Sequence, residues 1–233
     1  MIIHNMKTAI DLYNNGNYMS ALHLATCAVD GCAKKINGKG RSSYITFIRN
    51  YHWLIERFGG ITSTSITNTL EIDLKDDNGK SINSPDLADF IYYVFCCYTA
   101  HCDEIPQEFQ LFEGNAIIIS GKTINLPKKL VFGLLAACAF NKHSADLICD
   151  ADYYLSYDSS VVVDAFFRRI DGIPYFLSAL KRGEVTPFPL KDWLGKEDEI
   201  RKFLDKQPKD IDTPVKCSVK EKEVLRFAEL YIS

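Results

Sequence analysis

Apolar residues in the first quarter of the chain recur three and four positions apart, and turn residues interrupt them at intervals. Met6, Ile10 and Tyr13 predict a short helix over Met6 to Asn14, which Asn14-Asn15-Gly16-Asn17 breaks. Leu22, Ala25, Val29, Cys32 and Ile36 stripe a second helix from Tyr18 to Lys35, ended by Asn37-Gly38. Tyr44, Phe47, Ile48, Tyr51, Leu54, Ile55 and Phe58 fit one helical template without a miss. They predict a third helix, capped by Ser42 or Ser43 and stopped at Gly59-Gly60.

The pattern then loosens. Leu70, Ile72 and Leu74 alternate with charged residues before Asp77-Asn78-Gly79, which reads as a surface excursion with a short hairpin. Ser84 as N-cap and Pro85 at the first helical position announce a fourth helix. Leu87, Ile91, Val94, Tyr98 and His101 share one of its faces, and Pro106 closes the element. Strand-like runs at Phe109 to Phe112, Ala116 to Ile119 and Thr123 to Asn125, with glycine turns between them, predict a β-meander. Pro127 starts a fifth helix, apolar on several faces and therefore central. Further on come a strand over Tyr153 to Tyr157, a short helix over Asp164 to Ile170 and a loop at Pro187-Phe188-Pro189. A charged helix over Glu197 to Lys206 follows, and Ser218 and Glu221 form a capping box before a last helix ending at Tyr231.

The expected fold is mainly α. An up-and-down helical bundle occupies residues 6–142 with a small β-meander inserted, and a smaller mixed α+β segment, residues 143–233, packs on it. A chain of 233 residues with 47% hydrophobic and 24% charged residues can build such a core without disulfides or metal. Its net charge of −3 gives no global field for nucleic acid, so any such contact needs a local basic patch. No bilayer-length apolar run and no signal-peptide pattern occur, which points to a cytoplasmic protein without membrane contact. The 8 cysteines sit mostly in apolar helical segments, as buried free thiols do.

Few stretches carry chemistry. Lys34, Lys35, Lys39 and Arg41 form the one dense positive cluster, able to touch phosphate, though cations at a helix C-terminus are also favoured by its dipole. Asp30 stands one turn before Lys34 and can pair with it. His23 with Cys27, and Cys97 with His101, are each one helical turn apart, so two packed helices could offer a tetrahedral zinc site. A nucleophile elbow, a phosphate-binding glycine loop and a dinucleotide fingerprint are all missing, and no cofactor is expected.

The run from Leu87 to Phe140, with Cys96-Cys97-Tyr98-Thr99-Ala100-His101, Ile105-Pro106, a hairpin and Asn125-Leu126-Pro127-Lys128, resembles HEPN-type helical domains of uncharacterised prokaryotic proteins. The second helix, Ala21 to Lys35, resembles the small-residue helix of the same group, and the likeness covers roughly residues 6–142. The HEPN signature is an Arg, four to six residues, then a His near a helix end. The resemblance implies a homodimer whose His-bearing helix ends meet across a two-fold, with RNA or a protein as partner. It also implies, for an active member, a metal-independent endoribonuclease with His101 as general acid/base. Here Cys96 stands where that Arg is expected, and a thiol cannot present paired donors to phosphate. Arg49 or Arg41 would have to clamp the phosphate, and Asp103 or Glu104 would orient His101. The leading expectation is therefore a non-catalytic HEPN-like interaction module. The ribonuclease and a structural zinc-bound bundle are the alternatives.

Overall fold

A computed structural model describes residues 1–59, 80–81, 86–100, 109–114, 116–120, 123–149, 153–158 and 185–206, a few of them by backbone alone. The expected hairpin near Leu70 to Asp77, the Asp164 to Ile170 helix and the helix ending at Tyr231 lie outside those residues. Ser84, Pro85, His101, Asp103 and Glu104 lie outside them as well.

The described chain is mainly α. Helix α1 spans Ile2–Asn14 and α2 spans Tyr18–Asn37, both slightly longer than their apolar stripes. They pack together, and the contact needs a glycine: a Cβ on Gly31 would come within 2.7 Å of Ile2 Cγ1. Asn17 caps α2 by accepting from the Ser20 amide, and Gly38, at φ +85°, turns the chain out of it.

The expected third helix is two. Helix α3 covers Arg41–Asn50 and α4 covers His52–Gly59, parted at Tyr51 with φ −108° and ψ 16°. The apolar template spans both because its period survives the break. The break itself follows from packing, since α3 lies on α2 and on α5 (Leu87–Ala100), whereas α4 lies on α6 (Leu130–Phe140). One straight rod would not serve both contacts. Backbone bonds from Leu54 and Ile55 to the Tyr51 carbonyl keep the bend saturated.

Helix α6 is central, every residue from Leu130 to Phe140 being buried. It begins at Leu130 rather than Pro127, because Pro127 ends a strand. Gly133 brings it against α4 so closely that a Cβ would sit 2.5 Å from the Ile55 carbonyl oxygen. Past its end Asn141 is fully buried. Its amide donates to the Ala137 and Cys138 carbonyls and to Ser144 Oγ, and its Oδ1 accepts from the His143 N–H. One side chain thus satisfies carbonyls that a helix end leaves open.

The three strands fall where the sequence puts them, but their pairing is not that of a meander. β1 (Phe109–Phe112), β2 (Ile118–Ser120) and β3 (Thr123–Pro127) lie in the order β1-β3-β2, with β1 and β3 parallel and β2 and β3 antiparallel. Two bonds past the strand ends hold the parallel pair. The Lys128 N–H donates to the Phe112 carbonyl, and Lys128 Nζ meets Glu113 at 2.7 Å.

The C-terminal elements share the core of the bundle. β4 (Tyr154–Asp158) pairs antiparallel with β5 (Val185–Pro189), which turns into the short α7 (Leu190–Trp193) and then α8 (Glu197–Asp205). Pro187-Phe188-Pro189, expected as a loop, is strand. Its prolines occupy alternate positions of a two-stranded ribbon, where missing donors are tolerated, and Phe188 turns inward. The Phe188 ring lies 5.7 Å from Phe58 and 5.6 Å from Phe140, so residues from three elements close one aromatic cluster.

Candidate functional site

Helix α5 carries the segment on which the nuclease expectation rests. Its backbone runs through Cys96 and Cys97 to Ala100. Its start is legible in detail. The Asp86 carboxylate accepts from the Asp89 N–H at 3.0 Å, and the Asp89 carboxylate accepts from the Asp86 N–H at 3.2 Å. This reciprocal pair is a capping box with Asp86 in the cap position of the described helix.

The same two carboxylates take up both candidate phosphate clamps. Arg41 Nη2 reaches Asp89 Oδ1 at 2.7 Å, and its guanidinium lies 5.4 Å from the Tyr92 ring centre. Arg49 Nε donates to Asp86 Oδ2 at 2.7 Å, and its Nη2 reaches Asp89 Oδ2 at 3.4 Å. Burial would raise the Asp86 pKa, but the Arg49 hydrogen bond, with the box, brings it below the usual carboxylate range. Arg49 is raised in turn by the Asp86 bond. Arg41 sits on the first turn of α3 and Arg49 on its last, so the α5 start is stapled at both ends of α3.

Of the remaining predicted cations, Lys34 and Lys35 are also engaged. Lys34 pairs with Asp30 on α2, as their spacing implies, and Lys35 pairs with Asp146 and donates to the His143 carbonyl at 2.7 Å. Lys34, Lys35 and Arg41 therefore do not converge on a common anion position, while Arg41 and Arg49 converge on protein carboxylates. Asp86 and Asp89 were missed in the sequence. Their Asp-x-x-Asp spacing at a helix start is the signal that marks them.

A groove of about 530 Å³ opens between α1, α2 and α5, lined on α2 by Cys27, Asp30, Gly31 and Lys34 and bounded by Met1 and Phe95. Cys27 Sγ stands 3.7 Å from His23 Nε2. Burial lowers the His23 pKa, so its ring is neutral at neutral pH. Burial first, and then the Asp30 charge, raise the Cys27 thiol, which is protonated under the same conditions. The pair is thus no activated thiolate. The packing of α2 on α5 that the zinc expectation needs is present, while the Cys97 side chain and His101, two of its four expected ligands, lie outside what is described. Among the described residues no three of His, Cys, Asp and Glu are placed to hold one metal ion.

The family model Rv1289 matches residues 1–179. The chain belongs to the Rv1289 family. The Rv1289 match includes the groove, the Arg41–Asp89 staple and the whole three-stranded sheet, and it ends before β5. No curated protein and no solved structure matches the chain. Among the described residues, no helix is long and apolar enough to cross a membrane.

Proposed function

We propose that the chain is a non-catalytic, HEPN-like helical interaction module that acts as a homodimer and contacts protein rather than RNA. The observation that carries this reading is the engagement of Arg49 and Arg41 by Asp86 and Asp89. A phosphate clamp must meet its anion with a guanidinium whose donors are available. Here both would first have to abandon carboxylates that also cap α5, losing the helix cap in the process. Carboxylates held at the cations also repel a polyanion, which weighs against RNA as the partner. The two-fold arrangement comes from the resemblance, and closed two-fold dimers are the commonest assembly of soluble chains.

Single-stranded RNA incubated with the purified chain in chelator is expected to stay intact, equally for the wild type and His101→Ala. Light scattering is expected to give twice the chain mass. Cleavage that His101→Ala abolishes, with the fold retained by circular dichroism, would establish the ribonuclease instead. A strict monomer at all concentrations would remove the dimer.

A further inference from the structure

We draw no further inference here: the strongest candidate, the groove between α1, α2 and α5 with Cys27, Asp30 and Lys34 in its wall, carries nothing because nothing in the structure shows what covers it.

Discussion

Arg41 Nη2 and Asp89 Oδ1 meet at 2.7 Å across 48 residues of chain, with side-chain exposures of only 16% and 6%. Arg49 reaches the same carboxylate from a side chain that is 55% exposed. Two guanidiniums thus share one acid in different solvent, and the difference sets what each contributes.

Replacing Asp89 by Ala should be costly. It leaves the Arg41 guanidinium withdrawn from water without its counter-charge, and such losses run to about 3–5 kcal/mol. Arg49→Ala removes a solvated partner and should cost under about 1 kcal/mol. Urea denaturation of both variants measures the gap, and equal losses would refute the division of labour.

The Asp86 pKa is depressed in the folded chain. Its contribution to stability is therefore complete above the unfolded carboxylate value of about 3.9 and is lost as pH falls through the lower folded value. Asp86→Asn should flatten the acid limb of the stability profile below about pH 4 while barely changing its slope near neutrality. An unchanged acid limb in that variant would show that Asp86 does not titrate as described.

Tyr51, at the bend between α3 and α4, titrates in the opposite sense. Burial first, and then the charge of Glu197, push its phenol up to about 12. A raised folded value means that its contribution is whole below the unfolded value of about 10 and disappears as pH climbs through the folded one. Alkaline denaturation should accordingly steepen between these values for the wild type and less so for Tyr51→Phe. Spectrophotometric titration should find one phenol that ionises well after the exposed ones.

Gly133→Ala tests the crossing of α4 and α6. The added methyl would sit 2.5 Å from the Ile55 carbonyl oxygen and 2.9 Å from its Cα, both backbone atoms that cannot swing aside. Overpacking of this kind costs about 1–3 kcal/mol, against the small gain in helix propensity that alanine ordinarily brings. A more stable Gly133→Ala would mean that the two helices separate freely.

What the sequence disclosed and what it hid divide along physical lines. Stripes such as Leu22, Ala25, Val29 and Cys32 are local, so α1, α2 and the central burial of α6 were readable. The bend at Tyr51 was not, because periodicity reports which side faces the core and is blind to a change of axis that preserves it. The parallel pairing of β1 with β3 depends on Lys128 meeting Phe112 and Glu113, a contact with no local signature. At the site, Asp30 with Lys34 followed from spacing, whereas Arg41 with Asp89 joins distant segments and needed coordinates. Asn141 is the extreme case: a polar side chain buried at a helix end looks, in sequence, like any turn residue.

The ring of Phe188 has a consequence for how the chain can be cut. Against Phe58 and Phe140 it supplies the outer wall of an aromatic nest whose inner walls come from more than forty positions earlier in the chain. A fragment stopped at residue 142, the limit suggested by the helical stripes, would hold those two rings with water where the third belongs. Such a truncation should behave as a sticky, loosened species rather than as an autonomous unit, and ribosomes must deliver nearly 190 residues before this corner can dry.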